Sequence, residues 1–207
     1  GGSVLSFAGD AITCWFDDAN GPAAPRATQC ALALQQAMLS FMAIALPNNT
    51  VTLLALKVAV ATGPARRFTV GDPSIHYLDA LAGATVARTS IAEHLAQKGE
   101  VLVDEATVNA IGESLMIKEW RNDHDIGERF AVITQEMENA DLHRFIRTTT
   151  LQPPAARKLQ MWIHHTVYER EQSGQESFLT EFRPCMALFV RFTGIDYDSN
   201  EAEEQLD

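Results

Sequence analysis

At 207 residues, 46% of them hydrophobic and 21% charged, the chain is long enough for one sizeable core, or one core and part of another. Its net charge of −11 excludes a nucleic-acid-binding surface, because phosphate contacts need clustered Lys and Arg. The longest apolar stretch, residues 51 to 61, is too short and too interrupted to span a bilayer, so no membrane span is expected.

The opening segment reads as a β-hairpin. Two apolar runs flank Gly9-Asp10, which places a carboxylate at the tip, within reach of a cation or a phosphate. The start at Gly1, with neither Met nor leader, predicts that the chain opens inside a domain. After the loop around Asn20-Gly21-Pro22, residues 26 to 46 carry Cys30, Leu34, Met38, Phe41 and Ala45 at helical spacing, and Pro47 closes that helix. Residues 51 to 62 predict a buried strand ending at Gly63-Pro64. A second hairpin follows over residues 66 to 70 and 75 to 81, then a helix over 83 to 98 and a strand over 100 to 103. Asp104 caps a short helix, and strands are expected over 114 to 120 and 129 to 134.

Composition changes at residues 148 to 154, which reads as a linker. Residues 155 to 172 are helical in pattern, with Leu159, Trp162, Ile163, Val167 and Tyr168 near one face, and Gly174 ends that helix. Residues 184 to 192 predict a strongly apolar strand, and an acidic segment closes the chain. Cys14, Cys30 and Cys185 are odd in number and sit in apolar patterns, which reads as buried thiols in a reducing, cytoplasmic compartment rather than a disulfide or zinc framework. His164-His165 should point to different faces of a helix, so one metal would not take both. Asp123-His124-Asp125 reads as a solvated turn, and Trp15, Trp120 and Trp162 as core or interface aromatics.

Four segments in order carry a family resemblance: Ser6-Phe7-Ala8-Gly9-Asp10-Ala11, Leu56-Lys57-Val58-Ala59-Val60-Ala61-Thr62-Gly63, Gly83-Ala84-Thr85-Val86-Ala87-Arg88 and Gly99-Glu100-Val101-Leu102-Val103-Asp104. Together they resemble the class III nucleotide cyclases over residues 1 to 134. Leu151-Gln152-Pro153-Pro154, and Phe178 through Pro184 leading into Met186-Ala187-Leu188-Phe189-Val190-Arg191-Phe192, resemble the passage between the two catalytic domains of soluble adenylyl cyclases. The resemblance implies an α+β fold, an α/β sandwich with a ferredoxin-like mixed or antiparallel sheet flanked by helices, plus a helical linker and one extra strand. Residues 1 to 147 would be a first cyclase domain lacking its opening strand and helices. Residues 148 to 183 would be the linker, and 184 to 207 the opening strand of a second domain of the same chain.

Family chemistry converts ATP to cyclic AMP and pyrophosphate, using Mg2+ or Mn2+ held by two aspartates. By resemblance Asp10 is the second of these, a catalytic metal ligand, though Gly-Asp is also a common turn pair. Lys57 matches a phosphate-binding position. Read without the family, it is a lysine at a strand's edge that reaches solvent. Other family positions are degenerate. The adenine-selecting Lys is Ser6, and its Asp partner is Ala80, with Asp79 one residue away. The ribose-orienting Asn is Ala87 and the transition-state Arg is Ile91, neither of which can donate a hydrogen bond. The bicarbonate-holding Lys and Arg fall on Ser6 and Ser90, so anion activation by that route is not expected. On the second domain's strand, a metal aspartate is replaced by Arg191.

Two readings follow. The parent is an adenylyl cyclase with one active site at a domain interface, the chain by itself being inactive, or the chain is a non-catalytic pseudo-cyclase module for regulation or dimerisation. Residues 184 to 192 are expected to fill the vacant strand position, in their own chain or by swapping into a second copy.

Overall fold

A computed structural model describes residues 2 to 19, 21 to 124, 126 to 134, 156 to 174, 186, 188, 190 and 193 to 206. In chain order the strands are β1 (Ser3–Ala8), β2 (Ala11–Trp15), β3 (Ile44–Ala45), β4 (Val51–Thr52), β5 (Val58–Val60), β6 (Arg66–Asp72), β7 (His76–Ala82), β8 (Val101–Asp104), β9 (Ile117–Asn122) and β10 (Arg129–Ile133). The helices are α1 (Ala23–Met38), α2 (Ala84–Leu95), α3 (Glu105–Ile111), α4 (Ala156–Gln160), α5 (His165–Gln172) and α6 (Ala202–Leu206). They fall into two compact units, Gly1–Ala65 with Gly83–Arg147, and Arg66–Ala82 with Thr148–Asp207.

The first unit is built on a four-stranded sheet of order β5-β8-β10-β9, with β5 parallel to β8 and the other neighbours antiparallel. Period-two alternation explains its layers. Val58, Val60, Val101, Val103, Ala131 and Ile133 point to one face, where Ala31 and Leu32 of α1 and Val108 of α3 cover them. Ala59, Leu102, Phe130 and Val132 point to the other, against Ile91, Ala92 and Leu95 of α2. Because β8 and β10 are buried on both faces, they read as continuous apolar runs. The result is the expected mixed sheet between helices.

Helix α1 departs from its sequence reading at both ends. It starts earlier because Pro25 falls in the first turn, where a missing N–H costs no helical bond. It ends at Met38, followed by a single tight turn over Leu39–Phe41. Beyond it the backbone is drawn into a small hairpin, with Leu46 N donating to Thr50 O at 2.8 Å and Leu54 N to Phe41 O at 3.3 Å. Its buried face is also different: Ala24, Thr28, Ala31 and Leu32 are buried, while Leu34 and Phe41 are 44% and 48% exposed. Small residues let the helix lie close to the sheet, and the larger apolar stripe faces away. The strand expected over 51 to 62 is likewise split, since only β5 joins the sheet while β4 pairs with β3.

In the second unit β6 and β7 pair in register from Arg66↔Ala82 to Asp72↔His76. The single helix expected over 155 to 172 is broken into α4 and α5. The break belongs to His164, whose extended backbone (φ −54°, ψ 132°) caps α5 from outside, its Nδ1 accepting from Thr166 N at 3.4 Å. The intervening turn is held by Tyr77 N, which donates to Met161 O at 2.6 Å, and by Tyr77 against Trp162 at 5.7 Å between ring centroids. Leu159, Trp162 and Val167 stay exposed. Gly174, at φ 69°, ends α5 as expected. The strand expected over 184 to 192 is not present at its described residues: Met186, Leu188 and Val190 lie outside any strand and are exposed. The rest of that segment, Arg191 included, lies outside the described residues.

Candidate active-site residues

Asp10 sits where the hairpin pattern places it. Ala8↔Ala11 is the last pair of β1 and β2, so Gly9-Asp10 is a two-residue turn, with Gly9 at φ 62°. That positive φ at the first central position is the one glycine takes in a type II′ turn. The Asp10 side chain is exposed, and among the described residues no hydrogen bond or ion pair engages it. Ser6, opposite Thr13, follows a register shift after Val4 and is also exposed. The apolar side chains of the hairpin are open too, with Phe7 70% and Ile12 58% exposed.

Lys57 stands immediately before β5. Its Nζ donates to Glu93 O at 2.9 Å and pairs with Glu93 Oε1 at 2.8 Å, with 37% and 47% of the two side chains exposed. The ammonium thereby meets the carbonyl end of α2, where a cation is favoured. Along α2, Ala87 and Ser90 are exposed. Ile91, where the sequence resemblance places the family arginine, packs on the face formed by Leu102, Phe130 and Val132. In the second unit, Ala80 is half-buried opposite Phe68, and the adjacent Asp79 is engaged by Arg67, which keeps its carboxyl below the ordinary range.

The most fully built polar cluster was not singled out as a unit by its sequence. Asp104 is 0% exposed. Its Oδ1 accepts from Thr107 N at 2.9 Å and Thr107 Oγ1 at 2.6 Å, its Oδ2 accepts from Arg88 Nε at 3.0 Å, and Thr62 N donates to both oxygens. Arg88 also donates to Thr62 O at 3.0 Å. The capping role of Asp104 was legible, but Arg88 and Thr62 are distant in sequence and only β8 beside β5 brings them in. Gly63 is part of the same packing: a Cβ there would stand 2.5 Å from Thr85 Oγ1 and 2.9 Å from Arg88 Nη2. The cluster joins the first turn of α2 to the ends of β5 and β8.

A second charged clamp holds the opposite end of α2. Arg121 presents both Nη atoms to Glu100 at 2.7 Å each and donates to Leu95 O at 2.7 Å. This bidentate hydrogen bonding holds the Glu100 carboxyl below the ordinary glutamate value of 4.5. A carboxyl whose folded-state value is depressed stabilises the fold above its unfolded value and loses that contribution as pH falls through the folded one. Stability should therefore decline as the pH is lowered below about 4.5, and Glu100→Gln should flatten part of that acid limb. Urea midpoints of both proteins measured from neutral pH downward check this, and parallel curves would refute it.

Several other sequence expectations are corrected. Cys14 is exposed rather than buried, while Cys30 is half-buried and Cys185 lies outside the described residues. His164 and His165 do not point apart, because His164 lies outside the helix; their ring centroids are 4.8 Å apart, with His76 5.7 Å from His164. Among the described residues, no group of three or more His, Cys, Asp or Glu could hold a metal ion. Of the core and interface alternatives for Trp120, the structure removes only the first: the Arg129 guanidinium covers its ring at 4.5 Å, on a surface 36% exposed. No helix of the described residues is long and apolar enough to cross a membrane.

No family model and no curated protein matches the sequence. Solved structures do match. The guanylyl cyclase Cya2 aligns with TM-score 0.57 at 19% identity, over 68% of this chain and 73% of its own. The adenylyl cyclase CyaB from P. aeruginosa aligns with TM-score 0.52 at 17% identity, over 67% and 75%. The guanylate cyclase domain of RhGC from Catenaria anguillulae, in complex with GTP, aligns with TM-score 0.50 at 17% identity, over 64% and 72%. At such identities the likeness speaks to the fold alone, and it agrees with the mixed sheet and flanking helices above. The chain carries a domain with the class III nucleotide cyclase fold.

Proposed function

We propose that this chain is part of an adenylyl cyclase that converts ATP to cyclic AMP and pyrophosphate at an interface between two cyclase domains, with Asp10 contributing a carboxylate to the divalent-metal site. The observation that carries the reading is the hairpin tip: an exposed aspartate, with no partner among the described residues, presented by a two-residue turn on a cyclase fold. Mg2+ or Mn2+ would supply charge neutralisation at the nucleotide phosphates. The described residues bring one carboxylate to this tip, and a metal clamp needs more, so they do not complete the site by themselves. Lys57 is the proposed phosphate contact. Its pairing with Glu93 is solvent-exposed, and pairs of that kind are worth at most about 1 kcal/mol, so a nucleotide phosphate can displace it. Ala87 and Ile91 leave ribose orientation and transition-state charge to a second domain, which we place beyond residue 184.

Ile91 also favours the second reading. A side chain packed against Leu102, Phe130 and Val132 is a structural substitution for a catalytic arginine, as in a non-catalytic regulatory or dimerisation module. One experiment separates the two. The protein with its flanking sequence, given Mn2+ and either ATP or GTP, should form cyclic AMP in preference to cyclic GMP. Asp10→Ala should lower the rate on the order of 100-fold, the scale of losing one electrostatic stabiliser at a reacting centre. Product formation unchanged by Asp10→Ala removes the metal role, and no product from either nucleotide leaves the pseudo-cyclase reading.

A further inference from the structure

On the first unit, a groove of about 680 Å³ runs between the end of α1, residues 53 to 56 and the start of β8. Its volume lies within the about 300–1,000 Å³ of sites that take small organic molecules. The walls are apolar and adaptable: Met38, Met42, Leu53, Leu54 and Val132 line it, and Leu53 is 70% exposed. Methionines re-pack readily around a flexible guest.

The polar groups at this groove are the selective feature. Two of the chain's four lysines, Lys98 and Lys118, line it in a protein of net charge −11. Among the described residues neither donates a hydrogen bond or forms an ion pair. The carboxylate in the same wall, Glu100, acts on Lys118 only through space, because its oxygens are taken by Arg121 and Gln97 N. Gln35 is also committed, donating to Leu56 O and Glu100 O. The backbone N–H groups of Gly99 and Glu100 already donate to Leu56 O and Gln97 O. The wall thus offers two ammonium groups and no cradle of N–H donors of the kind that favours phosphate.

We propose that this groove binds a fatty carboxylate, its alkyl chain against Met38, Met42, Leu53 and Leu54 and its headgroup at Lys98 and Lys118. A partner helix fits less well, since two turns with side chains sweep roughly 1,000 Å³. A single alkyl chain matches the groove.

The test is binding of cis-parinaric acid, a fluorescent fatty carboxylate, to the full chain, with dodecanoate, methyl dodecanoate and dodecyl phosphate as competitors. Dodecanoate should displace the probe, and the uncharged ester should be the weaker competitor. The double variant Lys98→Ala, Lys118→Ala should bind the probe about tenfold more weakly, and Lys98→Arg, Lys118→Arg should retain it. Both lysines are exposed, so thermal melting of the variants should match that of the wild type. Equal binding by wild type and the double alanine variant overturns the proposal. Absence of binding overturns it too, and so does tighter competition by dodecyl phosphate than by dodecanoate.

Discussion

Asp104→Ala will destabilise the folded chain by about 3 to 5 kcal/mol, the cost of removing one partner from a buried, hydrogen-bonded ion pair. The carboxylate side chain is 1% exposed and the Arg88 side chain 19%, so the guanidinium loses its counter-charge where water can only partly replace it. Three further groups lose their acceptor or anchor: Thr107 N at the start of α3, Thr107 Oγ1, and Thr62 N at the end of β5. Loss of the helix cap alone is worth about 1 kcal/mol, so a larger effect isolates the ion pair from the cap. Asp104→Asn keeps an acceptor for Thr107 but removes the charge facing Arg88, and should recover only part of the loss. Urea denaturation followed by circular dichroism measures both. A midpoint for Asp104→Ala within about 1 kcal/mol of the wild type would show that the cluster is not integral to the fold.

Phe130→Ala should cost a similar amount, about 3 to 5 kcal/mol, by the lost transfer free energy and the cavity left behind. Phe130 is 0% exposed on β10, between β8 and β9 in the sheet, and packs among Ala92, Ala96, Leu102 and Val132. Alanines on the facing helix have no side chain to extend into the space, which limits collapse around it. The control is Phe41→Ala. Phe41 is 48% exposed, and its loss should shift stability by no more than about 0.5 kcal/mol. The contrast tests the structure against the sequence pattern, which put Phe41 on the buried stripe of a longer helix. Comparable losses at the two positions would mean that the apolar face of α1 is covered in solution.

The Gly9-Asp10 turn was legible because a two-residue loop between apolar runs has few solutions, and glycine supplies the positive φ that one of them requires. The β6–β7 hairpin and the Asp104 cap were legible for the same local reason. Burial on α1 was not, because its pattern contains two plausible faces: one of large apolar residues, one of small ones. Which face the sheet accepts depends on how closely the helix must approach, and that is settled by the strands beneath it. The break at residues 161 to 164 was hidden as well. Helical periodicity runs through it, and only the bond from Tyr77 to Met161 and the capping by His164 show that the chain turns there.

The degenerate positions illustrate the same division. By resemblance Ala87 and Ile91 stand where a cyclase carries polar groups, and periodicity predicts a helix over residues 83 to 98. Packing then distinguishes them, since Ala87 is exposed while Ile91 belongs to the face around Phe130. Lys57 shows the converse. The family resemblance marked it as a candidate, but its partner Glu93 lies 36 residues away.

By itself, then, the sequence determined the local elements whose geometry depends on neighbouring residues: the carboxylate at a glycine-led turn, the alternation that buries both faces of β8 and β10, and the cap of α3. Tertiary structure decided which helix face is buried, that Arg88 and Asp104 form one cluster with Thr62, and that Lys98 and Lys118 line one groove. These pairings join residues far apart along the chain, so no local pattern encodes them; they follow from the order in which the strands pack.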